Sequence, residues 1–126
     1  MDYCNVNELV GKTIVRIDKY NNEELVFHTD SNDVYKMYHS QGCCESVSIE
    51  DIIGDLDSLL NSPIVMAEEV INDNLEEDKS ISGDLYYDDS YTWTFYKLAT
   101  IKGYVTIRWF GTSNGYYSEN VDFVRL

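Results

Sequence analysis

The sequence predicts an α+β domain in which an antiparallel sheet of six to seven strands packs against one main helix at residues 49–60, with a short helix near the N-terminus. Three observations predict it. Runs rich in β-branched and aromatic residues, alternating with polar ones, occupy residues 13–39 and 91–126. Between them lies one apolar stripe of helical period. The two kinds of pattern are segregated along the chain, which argues against alternating βαβ units.

Residues 5–11 read as a short helix, with Asn5 placed to cap its first amides and Gly11 at its stop. Residues 13–20, 24–29 and 34–39 form a three-stranded meander, with Val15/Ile17, Leu25/Phe27 and Tyr35/Met37 spaced by two. The intervening Asn21-Asn22-Glu23 and Asp30-Ser31-Asn32-Asp33 tolerate the left-handed conformations that tight hairpins need. Ile49, Ile52, Ile53, Leu56, Leu59 and Leu60 then fall at i, i+3, i+4, i+7, i+10 and i+11, which predicts the main helix. Ser48 is its expected N-cap, and Asn61 with Pro63 its stop; Gly54 weakens it by about 1 kcal/mol relative to Ala, which leaves open a break there or two short helices.

Residues 64–71 form the next strand, and 72–90 a long acidic loop with room for a hairpin around 82–84. Residues 91–99 and 104–110 are the strongest strands, joined tightly through 100–103, and 121–126 close the sheet. The expected core is Val15, Ile17, Leu25, Phe27, Ile52, Leu56, Leu59, Trp93, Phe95, Val105, Ile107 and Trp109. With 126 residues, 13% aromatics and no linker, one domain over 1–126 is expected, burying roughly two-thirds of its unfolded surface.

Charge narrows the function. Residues 45–89 carry fourteen acids against one base, Lys79, a net of -13 out of the chain's -14; the flanks carry nine acids against eight bases. Such a block repels nucleic acid and membrane surfaces and attracts basic proteins and divalent cations. The N-terminus has no signal-peptide pattern, and no window approaches the length of a membrane span, so a cytosolic protein is expected. Three cysteines, two of them adjacent, do not make a secreted disulfide framework; they read as free thiols or metal ligands.

Tyr38-His39-Ser40-Gln41-Gly42-Cys43-Cys44-Glu45 is the one cluster with metal-ligand composition. Thiolate and imidazole suit zinc, and a turn at Gly42 brings His39, Cys43 and Cys44 toward a common structural site, with an oxygen or nitrogen donor completing the shell. Adjacent strand residues point to opposite faces, so both cysteines reach one ion only across a sharp turn. The competing reading is core packing for a cysteine and a satisfied surface His39. A Cys/His nucleophile is opposed by Glu45, Glu50 and Asp51, which disfavour a thiolate, and His28 reads as structural. The acidic tract lacks the spacing of a calcium loop, and residues 111–115 open no helix and cradle no phosphate.

Tyr38-His39, Cys43-Cys44-Glu45, Ile49-Glu50-Asp51-Ile52, Gly54-Asp55-Leu56, Pro63-Ile64, Met66-Ala67-Glu68-Glu69, Tyr91-Thr92-Trp93-Thr94-Phe95-Tyr96-Lys97, Gly103-Tyr104-Val105, Arg108-Trp109 and the run from Gly111 to Ser118 resemble a family of short, uncharacterised proteins of bacteriophages and prophages. The likeness covers residues 35–123 and carries no catalytic residue. It implies a phage or mobile-element origin, and small acidic phage proteins of this kind include inhibitors of host defence, anti-CRISPR proteins among them. Charge and resemblance together lead to the expectation of a phage-encoded inhibitor in the host bacterial cytoplasm, a monomer or weak dimer with a structural zinc. It would bind a type II CRISPR effector nuclease, or another basic host protein, and block target DNA loading without touching nucleic acid or membrane. Glu68, Glu69, Asp73, Glu76, Glu77, Asp78, Asp88 and Asp89 are the expected partner-binding acids. The rival expectations are a zinc-dependent or thiol enzyme acting on a small host molecule, and a structural phage component.

Overall fold

A computed structural model describes residues 2–73 and 90–126. Its elements run β1 (Asp2–Tyr3), a 3₁₀ turn at Val6–Leu9, β2 (Ile14–Tyr20), β3 (Glu24–Thr29), β4 (Val34–Tyr38), β5 (Ser46–Ile53), a second 3₁₀ turn at Leu56–Leu59, β6 (Met66–Asp73), β7 (Ser90–Thr100), β8 (Gly103–Ser113) and β9 (Asp122–Arg125). The strands form two sheets, β1-β9-β4-β3-β2 and β5-β8-β7-β6, in which every neighbouring pair is antiparallel. The expected α+β class is therefore corrected to nearly all β: a second sheet stands where the helix was expected, and the helical segments among the described residues are two four-residue turns.

A β-bulge explains the difference. In β5, Val47 and Ile49 face Gly111 and Trp109 of β8, and Ile52 faces Ile107. The register shifts between Ile49 and Asp51, so Glu50 is the extra residue. One inserted residue turns the strand spacing i, i+2 into i, i+3, which imitates one step of a helix. The rest of the stripe is spread over other structure: Ile53 is exposed, Gly54 takes φ +104°, and Leu56 and Leu59 belong to the 3₁₀ turn capped by Asp55. A Cβ at Gly54 would lie 2.5 Å from the Tyr104 carbonyl oxygen, so glycine is needed both for its backbone angle and for close approach.

The meander forms as β2, β3 and β4, with Asn21 and Asn32 at positive φ in its turns. The Asn5 side chain accepts from the Asn7 amide at the first 3₁₀ turn. One apolar cluster joins the sheets: Leu25, Phe27, Tyr35, Met37 and Phe123 from the first, with Val47, Ile49, Tyr96, Leu98, Val105, Ile107 and Trp109 from the second. The Trp109 Nε1–H points at Met37 Sδ across the interface, 3.2 Å away.

Several expected core residues lie elsewhere. Val15 sits at the irregularity in β2 and is exposed; Ile17, Ile52 and Leu56 are only half-buried. In β7 the face is reversed from expectation, since Tyr96 and Leu98 pair with Ile107 and Val105 on the core side, while Trp93 and Phe95 pair with Phe110 and Arg108 on the other. Trp93 is still buried, stacked on Phe95 and packed on Phe110 with the Arg108 guanidinium 4.7 Å from its ring. Aromatics on both faces hide the inward one from periodicity alone. The final strand, β9, joins the first sheet between β1 and β4. Of the expected acidic loop, residues 72–73 belong to β6 and Ser90 to β7; residues 74–89, including the hairpin at 82–84, lie outside the described residues.

The chain builds the first sheet through β4, the second from β5 to β8, and returns with β9. Among the described residues it therefore changes sheet twice after β4, through 39–45 and through 114–121. Tyr38 is opposite Asp122 and Ser46 opposite Thr112, so both passages lie at the same end of the molecule.

The bulged strand and the helix make different demands on two isoleucines. Ile49 is 3% exposed and Ile53 is 54% exposed. Ile49→Ala should cost about 2–5 kcal/mol in chemical denaturation and Ile53→Ala within about 0.5 kcal/mol. Equal, large losses at both would restore the helical stripe.

Candidate functional site

The loop from β4 to β5 holds the cluster singled out by composition, and a carboxylate organises it. Glu45 is a buried acid, its side chain 1% exposed beside a His39 side chain 4% exposed. A carboxylate in that position is costly unless each oxygen is satisfied. Glu45 Oε2 accepts from His39 Nε2 at 2.8 Å and from the Gly42 amide at 2.6 Å, and Oε1 from the Cys43 amide at 2.9 Å. Its main-chain carbonyl accepts from Gln41 Nε2 at 2.7 Å. A Cβ at Gly42 would stand 3.1 Å from Oε2, so a glycine lets the backbone wrap the carboxylate closely. The hydrogen bond from His39, then those from the backbone amides, hold the Glu45 carboxyl down at about 2.

The other His39 nitrogen, Nδ1, lies 2.6 Å from the carbonyl oxygen of Asn120. Both ring nitrogens thus face protein oxygens, and His39 links the first passage between the sheets to the second. The second passage has its own buried carboxylate: Glu119 Oε1 accepts from Thr92 Oγ at 2.7 Å and Oε2 from Ser113 Oγ at 2.5 Å, fastening the segment to β7 and β8. Glu119 and Asn120 were not expected from sequence, because a single Glu between Ser118 and Asn120 carries no periodicity and fits no motif.

Cys43 and Cys44 are joined to each other by a vicinal disulfide rather than standing as free thiols, and both are exposed. His39, Cys43 and Cys44 are therefore engaged with Glu45, with Asn120 and with one another. Among the described residues no group of three or more His, Cys, Asp or Glu side chains is arranged to hold a metal ion. The remaining cysteine, Cys4, is partly buried on the core's margin, and burial together with Glu8 pushes its thiol up to about 11. A cleft of about 450 Å³ opens against the clasp, lined by His39, Glu45, Gln41, Glu23 and Ser46 to Ser48. His28 is 3.0 Å from Asp18 and 3.1 Å from Arg16 on the outer side of the meander, a surface polar network.

Of the acids expected to meet a partner, Glu68 and Glu69 lie exposed on β6, an edge strand, where Glu69 accepts from the Tyr96 hydroxyl at 2.6 Å. Glu76, Glu77, Asp78, Asp88 and Asp89 lie outside the described residues, as does the side chain of Asp73. The opposite edge, β5, carries Glu50 and Asp51, the latter paired with Arg108 at 3.1 Å. Acids on both edges hinder pairing with a further strand. Among the described residues no helix is long and apolar enough to cross a membrane.

The family model of a domain of unknown function, DUF7448, matches residues 7–123, and the chain belongs to that family. No curated protein and no solved structure matches it.

The low Glu45 pKa sets a pH dependence. A carboxyl lowered from 4.5 to about 2 on folding contributes stability that is complete above about pH 4.5 and lost as pH falls toward 2. Glu45→Gln should therefore destabilise the protein at pH 7, with the difference from wild type shrinking as pH drops from 4.5 to about 2 in denaturant titrations. A deficit that stays constant across that window would show that the ionised carboxylate is not what the clasp uses.

Proposed function

We propose that this member of the DUF7448 family is a binding protein whose acidic surface engages a basic partner, in its most specific form a phage-encoded inhibitor of a type II CRISPR effector nuclease that blocks target DNA loading in the bacterial cytoplasm. The observation that carries the reading is the charge: net -14, with fourteen of the twenty-three acids between residues 45 and 89. The described part of that block adds to it. Glu50, Asp55, Asp57 and Glu68 are exposed, and none forms an ion pair with another described residue, so their field reaches solvent. A dense negative surface of this kind is steered toward the basic channel in which an effector holds nucleic acid, and is repelled by nucleic acid itself.

Binding is favoured over catalysis by the use made of the one His/Glu pair in the candidate site. A general base needs a nitrogen lone pair within reach of substrate, and both His39 nitrogens are directed at protein oxygens. Zinc at His39, Cys43 and Cys44 forms no step of this reading.

The test is stoichiometry with salt. In a cleavage assay with a purified effector, protection of target DNA should appear near one equivalent and need no turnover. The association rate should drop by roughly tenfold or more as ionic strength rises from dilute buffer to about 0.5 M. Glu68→Lys should slow association by severalfold, and Glu23→Lys, on the meander turn, should leave it close to wild type. Protection at a small fraction of an equivalent would indicate an enzyme, and normal cleavage by effectors from several hosts in excess protein would overturn the CRISPR form of the proposal.

A further inference from the structure

The vicinal disulfide lies within the polypeptide that wraps Glu45. Cys43 supplies one of the amides that donate to the carboxylate, Gly42 supplies the other, and Cys44 connects them to Glu45 itself. A bond between adjacent sulfurs closes a small ring around the Cys43–Cys44 peptide and removes freedom from the torsions on either side of it. That freedom is what would otherwise let the two amides turn away from Glu45 toward water. Both cysteines face solvent, so an incoming thiolate can reach a sulfur without opening the core.

We propose that Cys43–Cys44 is a thiol–disulfide exchange site for a soluble dithiol, and that its oxidation state sets how tightly the 39–45 passage is held on Glu45. One thiolate of the dithiol attacks a sulfur of the pair, forming a mixed disulfide as the Cys43–Cys44 bond breaks and the other cysteine leaves as thiolate. The second thiolate of the same reductant then attacks the mixed disulfide and releases the first cysteine. Two electrons pass to the protein, the two protons of the dithiol end on the two cysteines, and the reductant departs as its cyclic disulfide. Cys4 is a poor competitor in this exchange, because it is partly buried and burial and Glu8 disfavour its thiolate. After reduction the His39 contacts to Glu45 and Asn120 can persist, while the amides of Gly42 and Cys43 lose the ring that aimed them.

The experiment counts thiols and follows the loop in the full chain. Protein exposed to air, denatured and alkylated should take up one alkyl group, on Cys4; after treatment with dithiothreitol it should take up three. In ¹H–¹⁵N spectra the Gly42 and Cys43 amide signals should move on adding the dithiol and return on reoxidation, with Leu98 and Val105 in the core unmoved. The Cys43→Ser/Cys44→Ser double variant should give the reduced position of the Gly42 signal whatever the redox state, with a melting temperature that confirms it is folded. Three alkylated thiols in air-oxidised protein would overturn the site, and a disulfide that forms without displacing the Gly42 signal would overturn its coupling to Glu45.

Discussion

The strands change sheet through 39–45 and 114–121, and His39 is hydrogen-bonded to both passages at once, through Glu45 on one side and the Asn120 carbonyl on the other. Two sheets that share one apolar cluster are drawn together by burial of Leu25, Phe27, Met37, Ile107 and Trp109, but burial is non-directional. What sets their relation at this end is polar: Glu45 gathers the first passage and Glu119 ties the second to Thr92 and Ser113. Each carboxylate is buried, so losing its donors would leave an acceptor without water or partner, and such groups tend to enforce one arrangement over its near alternatives. The low pKa of Glu45 is the signature of that dependence.

The acids of this chain consequently do two kinds of work. Glu45 and Glu119 are structural, drawn inward and satisfied by amides, hydroxyls and an imidazole. Glu50, Asp51, Glu68 and Glu69 lie on the two edge strands of the second sheet, where charge discourages strand addition and leaves a negative rim. The proposed binding function draws on the second group, while the integrity of the fold draws on the first. A strongly acidic protein can thus keep a compact core despite its self-repulsion, because its buried carboxylates are those with the best local donors.

The meander was legible because Leu25/Phe27 and Tyr35/Met37 alternate cleanly between Asn-rich turns, so local propensity and burial agree. Strand β5 was not, because the bulge at Glu50 shifts Ile52 into helical phase with Ile49, and periodicity carries no mark that separates a bulge from a turn of helix. Gly54 was the available warning: at φ +104° it ends the strand, at the point where a helical reading allows a break. In the candidate site, the run from His39 to Glu45 was legible by composition as the place where polar chemistry gathers. Its chemistry was not, since Glu45 meets its amide donors through a backbone turn and His39 meets Asn120 across eighty-one positions of sequence.

The most direct test of this account is amide hydrogen exchange in wild type and in His39→Ala. If His39 joins the two passages, protection at Gly42 and Cys43 and at Gly115 and Asn120 should fall together, on the order of tenfold. Leu98 and Val105 should keep theirs, which separates release of the clasp from loss of the fold. A loss confined to Gly42 and Cys43, with Gly115 and Asn120 unchanged, would contradict the account by showing that the passages are held independently.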